Sequence, residues 1–184
     1  LYGAARTLYR WANEQAKPNK DREPGFQDRD KAFMTQRMAI IERRYVQAID
    51  QQLFADAIAE YRQLPAESRI KSFDAFIEGR DLASLYATSE LGNTAKRMEW
   101  MGKTPADFRA SNDPFIQLAV ATYDEAMAAE AADKARSGQM QKARSKVMEA
   151  RLAYAASQGK TMYPDANGSL RFTYGKVTGK TVDG

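Results

Sequence analysis

Residues Phe115–Ser157 read FIQLAVATYDEAMAAEAADKARSGQMQKARSKVMEARLAYAAS. Ala, Glu, Lys, Arg, Gln and Met dominate, and these are the strong helix formers. Asn112 or Asp113 stands where a cap is expected, and Pro114 occupies a first-turn position that tolerates proline. Gly138, with Ser137 beside it, interrupts the run, so the stretch reads as two helices or as one long helix bent there. Val147, Leu152 and Tyr154 do not keep a strict heptad, which argues against a long coiled coil. The helical period, carried by a stretch this long, makes the chain mainly α.

The residues upstream repeat the pattern in shorter pieces. Leu1, Ala4, Leu8, Trp11 and Ala12 share a helical face, and that helix should stop before Pro18. KPNKDREPGFQDRD, Lys17–Asp30, is a loop by its Pro18, Asn19, Pro24 and Gly25. Asp28 or Asp30 caps the next helix, whose apolar positions are Met34, Met38, Ile41 and Tyr45. Ile49, Leu53, Ala57 and Leu64 continue the period until Pro65 pushes Leu64 out of the helical region. A shorter helix is expected from about Glu67 to Glu78, with Ile70, Phe73 and Ile77 inward and Gly79 as its breaker. Another is expected over Asp81–Leu91, with Leu82, Leu85 and Tyr86 apolar and Gly92 at its end. Thr94–Met101 is a short helix ending at Gly102. KTPADFRASNDP then connects, with one helical turn. The expectation is a multi-helix lobe of about six to eight helices.

After Gly159 the pattern changes. Pro164, Asp165, Asn167 and Gly168 are turn residues. Leu170, Phe172 and Tyr174 alternate with Arg171, Thr173 and Gly175, a period of two. One strand cannot satisfy its own backbone, so the reading is a single C-terminal β-strand whose sheet lies outside the fragment. Residues 1–160 are accordingly read as a partial helical domain and 161–184 as a turn and returning strand. The chain begins with Leu rather than Met and is amphipathic from its first residue, as expected of an excised piece.

Composition sets limits on chemistry. The chain has 184 residues, 43% hydrophobic and 28% charged, enough to bury a core. Twenty-eight Lys and Arg against 24 Asp and Glu give a net charge of +4, interspersed rather than clustered. No nucleic-acid partner is expected, and no apolar run approaches the roughly 20 residues that span a bilayer. The chain has no Cys and no His. That removes thiolate nucleophiles, imidazole bases, Ser-His-Asp relays and the common zinc ligands from this chain. Absence of Cys chooses no compartment.

The remaining constellations are thin. Ser68 with Lys71, and Ser157 with Lys160, have Ser-Lys spacing but no companion motif. The carboxylates are scattered as surface charge. Asp165 and Asn167 are better explained as a turn than as calcium ligands. Asn167 opens a glycosylation sequon by pattern only. Trp11, Trp100 and the methionines lie at helical spacing and read as core. No Gly-rich phosphate loop or dinucleotide fingerprint occurs. No catalytic residue, cofactor or metal is assigned within the chain, and no substrate-binding residue is identified.

Three blocks, in order, resemble one family. KPNKDREPGFQDRD at Lys17–Asp30, SNDP at Ser111–Pro114 and YPDANGSLRFTYGKVTG at Tyr163–Gly179 are similar to segments of bacterial dipeptidyl-peptidases of the seven and eleven type. The helices between match only in character. The resemblance implies a chymotrypsin-fold serine peptidase with a large helical insertion, which removes dipeptides from free N-termini. In that family the triad His and Asp precede this region, and the Ser follows it in a GNSGSP-like motif. None is present here, so no catalytic residue carries over. The residues that bind the substrate's amino group also find no matching motif.

By that resemblance, the strand near Leu170–Tyr174 belongs to a missing peptidase β-barrel. The helices form part of a lid over its cleft, excluding water and favouring short products. The connection Gly159–Gly168 is a hinge or a plain link. Peptide substrates and the missing peptidase domain are the implied partners, a homodimer is possible, and the location is periplasmic or secreted. The fragment alone should be inactive. A free-standing helical adaptor that binds peptides or proteins is the alternative, and a basic helical nucleic-acid binder a weaker third.

Overall fold

A computed structural model describes residues 1–162, 172 and 174–179. Two compact units divide the chain, Leu1–Asp133 and Lys134–Gly184. Eight α-helices occur among the described residues: α1 Tyr2–Gln15, α2 Lys31–Ile40, α3 Gln47–Tyr61, α4 Lys71–Ile77, α5 Leu82–Thr88, α6 Thr94–Trp100, α7 Pro105–Arg109 and α8 Pro114–Ser157. The fold is mainly α, as expected.

In the first unit, α1 and the first turns of α8 supply the centre. Ala4, Ala5, Leu8, Tyr9, Trp11 and Ala12 are buried on α1, and Phe115, Ile116, Leu118 and Ala119 on α8. Each large apolar side chain removed from water contributes about 1.5–3 kcal/mol. Aromatic rings link the helices edge to face. Phe115 meets Tyr86 at 4.8 Å and Phe54 at 5.7 Å between centroids, while Tyr9 meets Tyr123 at 4.9 Å. Phe108 lies 4.7 Å from Trp100, which carries the α7 turn onto the end of α6.

Capping sets where the elements start. Asp113 accepts from the amides of Phe115 and Ile116 at 2.9 and 3.2 Å, and Pro114 opens α8. The other oxygen of Asp113 accepts from Ser89 Oγ and the Glu90 amide, at 2.9 and 2.8 Å. One carboxylate thus starts α8 and ends α5, because Ser89 is drawn into extended geometry at φ −77° and ψ 131°. That is why α5 stops at Thr88 rather than at Leu91. Gly92 does not cap it. A Cβ there would come within 3.3 Å of the Tyr45 ring, so Gly92 lets Tyr45 pack against the backbone.

Three sequence expectations are corrected in detail. The period from Met34 through Leu64 is broken: α2 ends at Ile40, a 3-10 turn covers Ile41–Arg43, and Val46 is extended at φ −123° and ψ 112°. The break rotates α3, so its buried residue is Ile58 with Phe54 and Tyr61 beside it, while Ile49 and Leu53 are 58% and 62% exposed. The helix expected from Glu67 begins only at Lys71, because Ile70 is extended and gives its amide to Tyr61 Oη at 2.7 Å. Asp30 precedes α2 but turns its carboxylate back to the Gln27 amide at 3.1 Å.

In the second unit, α8 passes through Gly138 without a break. Gly159, at φ +66°, ends it. The Gly159 amide bonds Ala156 O and the Lys160 amide bonds Ala155 O, at 3.0 and 2.9 Å, the double closure of a glycine helix stop. Val147, Leu152 and Tyr154 are exposed, and so are Met140 and Met148, which are not core. The strand expected near Leu170–Tyr174 rests mostly on residues outside the described ones, as do Pro164, Asp165, Asn167 and Gly168.

Candidate functional site

The Ser-Lys spacings do not form catalytic pairs. Ser68 ends a 3-10 turn and Lys71 starts α4. Ser157 Oγ donates to Tyr154 O at 2.7 Å at the end of α8, and Lys160 lies beyond Gly159. Both lysines are exposed, so neither sits in the apolar pocket that would make it a base. No group of three Asp or Glu among the described residues is placed to hold a metal ion. Among them, too, no helix is long and apolar enough to cross a membrane.

Two adjoining hollows in the first unit are the candidate site. The first, about 350 Å³, collects Arg6 and Arg10 of α1 and Arg37 of α2, with Phe26, Tyr123 and Met127 as its apolar wall. Arg10 is held by a two-pronged pair with Glu130, at 2.6 and 2.9 Å, and lies 5.0 Å above the Phe26 ring. The Glu130 hydrogen bonds push the Arg10 guanidinium above its ordinary range, keeping it charged. Its Nε is buried with no acceptor. Burial pushes the Tyr123 phenol up, and nearby Glu14 adds to the effect.

The second hollow, about 400 Å³, is apolar: Phe54, Ile58, Tyr61, Ile70 and Phe73 line it with Tyr2. Arg6, Thr122 and Ala126 line both hollows, which therefore share a wall and make a two-part trough with a cationic and an apolar end. Glu125 edges the apolar end and is occupied there. It accepts from the Lys71 and Ser72 amides and from Ser72 Oγ, at 3.1, 2.9 and 2.7 Å, and so caps α4 from α8. The Ser72 hydroxyl bond, followed by the Ser72 amide, lowers its pKa.

Two buried polar groups hold the walls. Glu14, almost wholly buried, accepts from Lys17 Nζ at 2.7 Å and from the Glu23 amide at 2.9 Å, which anchors the loop carrying Phe26. Burial alone would raise its pKa; the Lys17 bond and the Glu23 amide outweigh it and leave it lowered. Arg97 is fully buried and donates to Met38 O, Leu91 O and Gly92 O, at 3.0, 2.7 and 2.9 Å. It therefore ties α2, which carries Arg37, to α6. Burial lowers its pKa.

The profile of the Peptidase S46 family matches residues 1–184, the whole chain. The chain belongs to the peptidase S46 family. An Asp/Glu-specific dipeptidyl-peptidase of Shewanella putrefaciens is 36% identical over 187 aligned residues, covering 97% of this chain and 25% of the relative. The chain thus spans about a quarter of that relative's length. The expectation of a bacterial dipeptidyl-peptidase family, made from three short blocks, holds. Within this S46 chain the block Lys17–Asp30 is a folded loop: Arg22 donates to Lys17 O and Asp28 Oδ1, and Asn19 Oδ1 accepts from the Asp28 amide.

The trough itself was not visible in the sequence. Arg6 and Arg10 are four apart on α1, which hints at a shared face. Arg37 reaches them only through the packing of α2, and no spacing announces it.

Proposed function

We propose that this chain is the non-catalytic helical part of a serine dipeptidyl-peptidase, gating access to a cleft where dipeptides are removed from peptide N-termini. The observation that carries the reading is family membership over the whole chain in a sequence with no His and no Cys. A serine peptidase relay needs a general base that this chain does not supply. The chemistry then resides in the remaining three quarters of the protein, by comparison with the length of the S. putrefaciens relative. The helical unit contributes walls and a trough rather than a nucleophile. Closing such a wall over a cleft excludes water and blocks long substrates. The reading carries with it a periplasmic or secreted location and contact with a peptidase domain of the same protein.

The test compares the full-length protein with residues 1–184 on dipeptidyl reporter substrates. The full-length protein should release dipeptides, and the 184-residue segment should not. Turnover by the segment, at a rate comparable to the full-length protein, would refute the assignment.

The apolar end of the trough favours a second reading, a helical module that binds peptides without cleaving them. Peptide binding by the full-length protein with no hydrolysis of any dipeptidyl reporter would support it.

A further inference from the structure

We propose that the cationic end of the trough is a carboxylate site for an acidic segment of a bound peptide, with Arg6 and Arg37 as its free ligands. This rests on the peptide-handling reading above. Arg6 and Arg10 lie one turn apart on α1, a spacing at which like charges repel. The fold adds to that repulsion by bringing Arg37 of α2 to the same hollow. Only Arg10 has a carboxylate, Glu130. Arg6 and Arg37 form no ion pair among the described residues, and no Asp or Glu lines the hollow. Arg6 is exposed, with its guanidinium carbon 5.6 Å from the centre of the Tyr2 ring. The Arg10 Nε donor is buried and unused.

Clustered cations in a partly apolar recess focus field and attract anions. A guanidinium offers paired donors that match a carboxylate. A hollow of about 350 Å³ with two free guanidiniums suits one or two carboxylates, not the extended backbone of a nucleic acid. The adjoining apolar end fixes the context. Because Arg6 walls both hollows, a peptide with an acidic residue next to an apolar or aromatic one suits the two hollows together.

The test uses the full-length protein and two fluorescein-labelled, N-acetylated peptides. One carries two glutamates followed by a leucine and a phenylalanine; its twin carries glutamines instead. Acetylation keeps both from presenting a free N-terminus to a dipeptidase cleft. By anisotropy at low salt, the acidic peptide should bind at least tenfold tighter than the twin. Arg6→Gln/Arg37→Gln should bring the ratio to within about twofold, and Arg37→Lys should retain part of it, since a point charge replaces the fork. Should the double variant not fold, Arg37→Gln alone should lose about half of the preference on a logarithmic scale. Equal binding of the two peptides by wild type, an undiminished ratio in the folded variants, or displacement by inorganic phosphate with no preference between peptides would overturn the proposal. Reporter hydrolysis is read separately, so a failure of the peptidase reading and a failure of this site give different results.

Discussion

Arg97 is the residue on which the packing of α2 and α6 depends. It is fully buried and satisfied by three backbone carbonyls and Thr94 Oγ1 rather than by a carboxylate. Replacing it with Met strands those carbonyls, at about 1–3 kcal/mol for each group left unsatisfied. Arg97→Met should therefore lower stability by about 3 kcal/mol or more in urea unfolding; a loss under ~1 kcal/mol would refute the role. Tyr45 is the opposite case. Its hydroxyl is buried without a partner, so Tyr45→Phe should be neutral or slightly stabilising, within about 0.5 kcal/mol. Glu14 links stability to pH. Its folded pKa lies below the unfolded value of about 4.3, so its contribution is full above that pH and is lost as pH falls through the folded value. Glu14→Gln should destabilise at pH 7, and the deficit should shrink below about pH 4. A deficit that grows on acidification would contradict the Lys17 and Glu23 contacts. None of these roles was readable beforehand. An arginine in a polar-rich helix looks like surface until the chain folds around it.

At the scale of elements, the sequence spoke clearly where local chemistry decides. Pro114 after Asp113 marked the start of α8, and the helix formers carried it through Gly138. Because nothing lies within 4 Å of a Cβ placed on Gly138, Gly138→Ala should stabilise the helix by about 0.5–1 kcal/mol, measured as a raised melting temperature. Unchanged or lowered melting would mean that Gly138 has a packing or flexing role. The readings failed where a tertiary contact overrode the local one. The period across Ile41–Val46 looked continuous, but Tyr45 packs on Gly92 and Val46 extends, so α3 is turned and Ile49 and Leu53 face solvent. The start of α4 moved for a similar reason, since its free amides are met by Glu125 from α8, more than fifty residues away. Those partners have no signature in the local sequence.

For the whole molecule, a sequence with no His and no Cys offers no imidazole base and no thiolate, and three short blocks pointed to the family. The trough was illegible because its three arginines come from two helices and its apolar end from three more. The central claim is that these 184 residues shape and gate a peptidase cleft but hold no nucleophile. An active-site-directed fluorophosphonate, applied to the full-length protein and followed by mapping of the labelled serine, tests this directly. The account predicts a single labelled serine outside residues 1–184, with dipeptidyl hydrolysis abolished in step. A label on any serine within residues 1–184 would contradict it.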